Sequence, residues 1–88
     1  DDQAQAMTAE FCRATRKLIC DRITTSTTGL TESEVDALAD YVVMILVGLS
    51  GSARDGITAK TLRTTAEIAA QGFNQRFQQY CDRTYRPD

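Results

Sequence analysis

The sequence predicts an all-α protein: a three-helix array whose last two helices form an antiparallel hairpin. Apolar residues recur at steps of three and four over three segments, which is the spacing of an amphipathic helix. No alternation typical of strands competes with that spacing. The connection between the last two segments is so short that they must be neighbours. The 88 residues, 42% hydrophobic and 25% charged, have the composition of one ordinary globular domain.

The first predicted helix covers about residues 4–23 and has a broad apolar face. This face takes nearly half of the circumference, which is more than one neighbouring helix would cover. Arg13, Arg16 and Lys17 lie on the other side, where we interpret them as a solvated face; contact with an acidic ligand is the alternative. The apolar residues are Met7, Phe11, Cys12, Ala14, Leu18, Ile19 and Ile23.

The segment 24–33 is rich in threonine and serine and is predicted to be a connecting loop. Its end carries a helix start signal, because Thr31 is followed three residues later by Glu34, the spacing of a capping box. Leu30 and Val35 occupy the two positions of a hydrophobic staple. The second helix is therefore predicted to begin at about residue 32.

The second predicted helix covers about residues 32–54 and carries two apolar faces. The middle of the helix is apolar almost all round, so more than one neighbour must cover it. The first face consists of Val35, Leu38, Val42, Leu46, Leu49 and Ala53. The second face consists of Tyr41, Met44, Ile45, Gly48 and Ser52.

The third predicted helix covers about residues 59–81. Gly56 is predicted to end the preceding helix in a left-handed conformation, and Thr58 is predicted to cap the next one. The tail 82–88 is predicted to be frayed. One stripe, Leu62, Ala66, Ala69, Phe73, Phe77 and Tyr80, should pack on the second helix, and beside it lies a face of mostly small residues, Thr61, Thr65, Ile68 and Gly72.

The hairpin carries more apolar surface than one short chain hides, which favours a homodimer. We predict that two hairpins form a four-helix bundle across the dimer. The alternative is a three-helix monomer in which Tyr41, Met44, Gly48 and Ile68 lie under the first helix. The predicted interface residues are Tyr41, Met44, Ile45, Gly48, Ser52, Thr61, Thr65, Ile68 and Gly72.

Charge and composition argue against several functions. A net charge of −2 and a pI near 5.0 lack the positive field of a nucleic-acid-binding domain. The longest apolar run, residues 41–49, is shorter than the roughly 20 residues that cross a membrane, so we interpret it as part of a core helix. No motif for catalysis or phosphate binding is found, and the chain is not predicted to be an enzyme.

No metal ion or cofactor is predicted. The sequence contains no histidine, and its three cysteines, Cys12, Cys20 and Cys81, do not have zinc-site spacing. We expect free thiols in a reducing cytoplasm. The acidic residues that open the second helix are interpreted as favourable partners of the positive helix end.

The run LADYVVMILVGLSGSARDGITAKTLRTTAEIAAQGF, from Leu38 to Phe73, resembles the C-terminal region of regulators in the tetracycline-repressor (TetR) family. Members of that family carry a penultimate helix with an apolar run, a Gly-Leu like Gly48-Leu49 and an Ala-Arg-x-Gly like residues 53–56. The resemblance implies that the last two helices pair with those of a second subunit.

The resemblance also implies a function. The chain would be the dimerisation and effector-sensing C-terminal part of a cytoplasmic transcriptional repressor, whose DNA-binding helix-turn-helix lies in a separate N-terminal domain absent from these 88 residues. An unknown small-molecule effector would bind partly against the first helix, with Met7, Phe11 and Leu18 as pocket residues. The alternative is a helical self-association module that senses no small molecule.

Overall fold

The computed structural model describes residues 2–85, with side chains described for residues 9–82. Helix α1 spans Asp2–Ser26, α2 spans Glu32–Arg54 and α3 spans Ala59–Tyr85. All regular secondary structure within this described part is helical, which confirms the predicted all-α class and the three helices.

The start of α2 is held by the predicted capping box. The Thr31 side-chain oxygen accepts a hydrogen bond from the backbone N–H of Glu34 at 3.1 Å. The Glu34 carboxylate in turn accepts one from the backbone N–H of Thr31 at 2.9 Å. Glu34 is buried, so its charge lies against the positive end of the α2 dipole.

Replacing Thr31 with alanine should lower the free energy of unfolding by about 1 kcal/mol, since the cap bond to the Glu34 N–H is lost. Urea unfolding followed by circular dichroism measures the change. Thr28→Ala in the same exposed loop is the matched control and should leave the midpoint nearly unchanged. Equal midpoints for the two variants would show that the capping box adds nothing to stability.

The turn between α2 and α3 is a Schellman motif. Gly56 has φ +92°, the left-handed conformation predicted for it. Its N–H donates to the Ala53 carbonyl at 3.1 Å, and the N–H of Ile57 donates to the Ser52 carbonyl at 3.1 Å. Thr58, the last of the four linking residues, caps α3 by accepting from the N–H of Thr61 at 3.2 Å. So short a link makes the two helices antiparallel neighbours.

Helix α1 is longer at its C-terminal end than predicted, because residues 24–26 are helical rather than loop. The hydroxyls of Thr24, Thr25 and Ser26 each donate to the carbonyl four residues earlier, at 2.7, 2.7 and 2.8 Å. The three hydroxyls therefore bond within the helix, whereas the sequence prediction expected these side chains to favour a loop. The loop proper is limited to residues 27–31.

Helix α3 begins at the predicted residue and continues to Tyr85, four residues beyond the predicted end. The helix end predicted at residue 81 is therefore corrected to Tyr85, whereas the fraying predicted for the tail stays a prediction and residues 86–88 lie outside the described part of the chain. Near this end the Gln78 side chain donates to the Asp82 carboxylate at 3.0 Å, one helical turn away. Such a pair supports the last turns of the helix.

Helix α2 is central, with α1 and α3 packed on different sides of it. The α1 side is marked by Asp36 and Asp40, which pair with Arg16, and the α3 side by Tyr41, which binds Ala69. Across the described residues, no Cα of α1 lies within 8 Å of one in α3. The radius of gyration is 15.3 Å, against about 12 Å for a compact domain of this length. The three helices therefore form an open array rather than a closed bundle.

The core of this array is small. The buried apolar residues are Ile23, Leu38, Ala39 and Ala69, which lie where α2 meets its two neighbours. No large side chain among the described residues is fully buried. Packing within the chain therefore stabilises the junctions between helices and leaves their broad faces open.

Arg16 joins α1 to α2 through two ion pairs, at 2.7 Å to Asp40 and 3.0 Å to Asp36. The hydrogen bond from Arg16 to Asp40, followed by the charge of Asp40, raises the pKa of the guanidinium above its ordinary value. Arg16 is thus part of the helix contact rather than of the solvated face predicted for it. The guanidinium keeps its charge at every accessible pH.

Arg16→Gln should weaken the attachment of α1 in a salt-dependent way. All three side chains are well exposed, so the effect on the thermal midpoint is small and is screened at high ionic strength. Melting parent and variant at 20 mM and 1 M NaCl tests this, with exposed Arg13→Gln as the control. A difference that stays constant with salt would contradict an electrostatic role.

Candidate self-association surface

One broad side of the α2–α3 hairpin exposes large apolar side chains beside small ones. Met44 is 72% exposed and Ile68 is 64% exposed. Helical spacing places Gly48 next to Met44, and the antiparallel packing places Ile68 on the same side of the hairpin. We call this surface the Met44 face; it consists of Met44, Gly48, Thr61, Thr65, Ile68 and Gly72, all exposed.

Gly48 lies in open space on the Met44 face. A Cβ atom built on it meets no atom within 4 Å. The chain itself therefore gives no steric reason for glycine in mid-helix, where it costs about 0.5–1 kcal/mol relative to alanine. Close approach of a second helix is one arrangement in which a glycine at this position is useful.

The other three predicted interface residues lie in or beside the α2–α3 contact. The Tyr41 hydroxyl donates to the Ala69 carbonyl at 3.0 Å, so this side chain bridges the two helices of its own hairpin. Ile45 and Ser52 are half-buried, and Ile45 lines a groove between α2 and α3. The structure thus brings six of the nine predicted residues together on one open surface and uses Tyr41 within the chain.

Gly72 makes room for the tyrosine that bridges the hairpin. A Cβ atom at Gly72 would lie 3.0 Å from the Tyr41 hydroxyl oxygen and 3.9 Å from Cζ. The Tyr41 hydroxyl would have to move by a few tenths of an ångström to admit a methyl group at Gly72, whereas the distance to Cζ is an ordinary contact. The sequence shows both residues but not their pairing, since they lie on different helices.

A double-mutant cycle tests the Tyr41–Gly72 pairing. In the parent, Gly72→Ala should bring little gain or a loss, because the displaced hydroxyl offsets the higher helix propensity of alanine. In a Tyr41→Phe background the same change should stabilise by about 0.5–1 kcal/mol. Chemical unfolding of the four proteins measures the coupling, and equal effects of Gly72→Ala in both backgrounds would contradict the contact.

The opposite side of the hairpin is also apolar. At about 100° per residue, Leu46 points about 200° away from Met44, and Ala70 is related to Ile68 in the same way. A groove of about 300 Å³ runs along this side, lined by apolar residues of both helices. Leu46 is 38% exposed there. The hairpin is therefore apolar on both broad sides, as the double apolar face of the second helix predicted.

Helix α1 does not cover the Met44 face. It packs on the side of α2 that carries Asp36 and Asp40, while Met44 and Ile68 stay more than 60% exposed. The arrangement considered for a three-helix monomer, with these residues under the first helix, is therefore not the one observed. An apolar face on the hairpin still requires a cover.

The total accessible surface measures how much of the chain stays open. The chain exposes 6818 Å², whereas a compact monomer of 9.7 kDa exposes about 5,100 Å². The excess of about 1,700 Å² is twice the roughly 800 Å² that one partner loses in a standard interface. The chain thus leaves more surface open than a compact monomer of its mass.

The predicted effector-pocket residues lie on the outer side of α1. Phe11 is 57% exposed and Leu18 is 70% exposed, and neither lines any of the three surface depressions described for residues 9–82. The side chain of Met7 lies outside the described residues. The two visible residues form an open apolar strip rather than the wall of a cavity.

The described part of the chain contains no cluster of three or more potential metal ligands. Its three cysteines are half-buried, and the Cys81 sulfur lies 3.9 Å from the Thr27 hydroxyl. This contact places the loop 27–31 beside the end of α3.

Helix α2 is long and apolar enough to cross a membrane, judged by length and composition alone. Core helices of water-soluble proteins meet the same criterion but are mostly buried, whereas only 11% of the apolar window in α2 is buried within the chain. Its longest unbroken apolar run has nine residues, and most of the apolar window is left uncovered by the chain.

Comparison of the chain with protein-family models, with curated proteins and with solved structures finds no match.

Proposed function

We propose that this chain is a homodimerisation domain, and that it serves as the C-terminal, effector-sensing part of a TetR-like transcriptional repressor. Two copies associate through their Met44 faces and form a four-helix bundle from two α2–α3 hairpins. The observation that carries the proposal is the exposed surface of the hairpin. Met44 and Ile68 are the two most exposed large apolar residues on it.

The geometry of the Met44 face supports close helix packing between copies. Large side chains at Met44 and Ile68 alternate with Gly48, Thr61 and Thr65, so the protrusions of one copy fit the gaps of the other. The six residues of the face are uncharged, and the carboxylate of Asp40, one helical turn before Met44, is paired with Arg16, so the face carries no unpaired charge to bury. Its backbone is also presented by two rigid helices rather than by loops.

A water-soluble dimer accounts for the apolar character of α2 better than a membrane does. Asp40 lies within every window of α2 that is long enough to span, and it is paired with Arg16 on α1. Inserting α2 into lipid would remove this partner or carry an ion pair into hydrocarbon, and both are costly. We therefore assign the chain to the cytoplasm, without membrane contact.

Effector sensing in this proposal rests on the family resemblance. The resemblance implies a pocket against the first helix, where Phe11 and Leu18 form the exposed strip. A ligand held between this strip and further parts of a regulator would favour one arrangement of the two subunits. It would change DNA affinity only through unequal binding to two arrangements. The DNA contacts themselves belong to an N-terminal domain outside these residues.

Sedimentation equilibrium over a hundredfold range of concentration tests the dimer. The expected mass is twice the chain mass of 9.7 kDa. A thermal-shift screen with lipophilic compounds tests sensing, because a ligand of the native state raises the midpoint. A well-folded monomer at millimolar concentration would overturn the association, and no shift with any compound would argue against sensing.

The second candidate is a helical self-association module without a small-molecule role. It is favoured by the exposure of Phe11 and Leu18, which line no described depression. The two candidates share the dimer and differ in the outcome of the thermal-shift screen.

A further inference from the structure

The geometry points to a binding site for a small aromatic carboxylate between the start of α2 and the end of α3. A depression of about 420 Å³ lies there, within the size range of small-molecule sites. Ala37 and Gly72 are the small residues of its lining. The surrounding side chains are Tyr41, Phe73, Gln75, Arg76, Gln79 and Tyr80.

The lining combines aromatic rings with one cation. Tyr41, Phe73 and Tyr80 supply aromatic surface, on which a planar ligand ring stacks edge-on or offset. The Arg76 guanidinium carbon lies 5.8 Å from the centre of the Tyr80 ring. This contact orients the guanidinium beside the aromatic surface while its N–H groups remain able to bind a carboxylate with two hydrogen bonds.

The charge of Arg76 is not neutralised nearby. No carboxylate lines the depression, and no ion pair to Arg76 is formed among residues 9–82. Asp36 and Asp40 are engaged by Arg16 on the other side of α2. Although the chain carries a net charge of −2, this depression therefore presents a positive charge.

The ligand class follows from these groups. A carboxylate binds Arg76, and an attached aromatic ring lies against the tyrosine and phenylalanine rings. The carboxamides of Gln75 and Gln79 offer both donors and acceptors for further polar groups. Because Arg76 is exposed, we expect a dissociation constant on the order of 0.1–1 mM for a minimal ligand. Only the identification of such a ligand as the effector rests on the proposed function.

The test uses 1-naphthoate as the probe, with its neutral analogue 1-naphthamide and with acetate. In ¹⁵N-resolved NMR titrations, naphthoate should give saturable shifts at the amides of Ala37, Gly72 and residues 75–80. Naphthamide should bind at least tenfold more weakly, and acetate should not saturate. Arg76→Gln should reduce naphthoate affinity about tenfold, whereas Arg63→Gln, an exposed arginine elsewhere on α3, should not.

Equal affinity for naphthoate and naphthamide would overturn the proposal. This comparison uses the parent protein alone, so the test does not depend on whether Arg76→Gln folds. Unchanged affinity in a folded Arg76→Gln protein would overturn it too, as would shifts centred on the Leu46 groove. Sedimentation of the same samples separates the two proposals. A monomer that binds naphthoate as described would refute the dimer and retain the site. A dimer that does not bind naphthoate would refute the site and retain the dimer.

Discussion

Gly48→Arg should convert the proposed dimer into a folded monomer. A Cβ atom at Gly48 meets nothing within 4 Å of its own chain, so the arginine fits the free subunit without a clash. In the bundle it would place a charge where the partner helix lies, with no carboxylate on the Met44 face to pair with it. Leaving a charge unpaired in an interface costs about 3 kcal/mol or more, which raises the dimer dissociation constant at least 100-fold.

Light scattering combined with circular dichroism measures this outcome. The mass should fall to that of one chain while helicity is retained, since an open helix position accepts arginine more readily than glycine. Gln71→Arg adds the same charge on the outer side of α3 and should leave the mass of the dimer unchanged. If Gly48→Arg and Gln71→Arg have the same mass as the parent, the Met44 face is not the interface.

Gly48→Ala distinguishes a solvent-exposed Gly48 from a Gly48 that is packed against a partner helix. On a solvent-exposed helix, alanine should stabilise the chain by about 0.5–1 kcal/mol. Against a closely approaching partner helix, the added methyl group should weaken association instead. Stabilisation without any loss of association would mean that no helix packs closely at this position.

Local signals in the sequence predicted the parts of the fold that local chemistry determines. The capping box at Thr31 and the left-handed Gly56 each act within a few residues, so their patterns specify both ends of α2. The same reasoning failed at residues 24–26, where the hydroxyl groups bond back into the helix. The hydroxyl group of a threonine or serine can bond within a helix or stabilise a loop. Which of the two occurs depends on the surrounding structure.

The contacts between helices were less accessible to prediction. Periodicity placed Tyr41 beside Met44 on one apolar face, yet the two side chains point into different environments. Tyr41 reaches the Ala69 carbonyl because Gly72 leaves space beside it, and that space depends on the register of α2 and α3. Arg16 was likewise assigned to a solvated face, since its partners lie on another helix. Both cases require the relative position of two helices, which one-dimensional spacing does not contain.

The excess of apolar surface, in contrast, was predictable from the number of apolar residues. A short chain with apolar residues on two sides of one helix has too few other residues to cover them. The structure adds which surface stays open: the Met44 face rather than a surface under α1. It also shows that both sides of the hairpin are apolar, so a dimer through one side leaves the Leu46 groove exposed.

Leu38→Ala should cause the largest loss of stability within a single chain. Leu38 is only 3% exposed and belongs to a core of four buried apolar residues, so few other contacts compensate for it. Truncating a buried leucine costs about 2–5 kcal/mol, a large share of the 5–15 kcal/mol typical of a whole domain. Because the loosely packed array can partly close around the gap, we expect about 3 kcal/mol.

Urea unfolding at several protein concentrations measures this loss and separates it from association. Leu18→Ala is the matched control: it removes the same atoms from a side chain that is 70% exposed and should change the free energy of unfolding by less than about 0.5 kcal/mol. A loss for Leu38→Ala that appears only at low concentration would mean that Leu38 acts through the dimer. Equal small effects for both variants would mean that the buried junction around α2 does not hold the fold together, and that stability resides in the contact between copies.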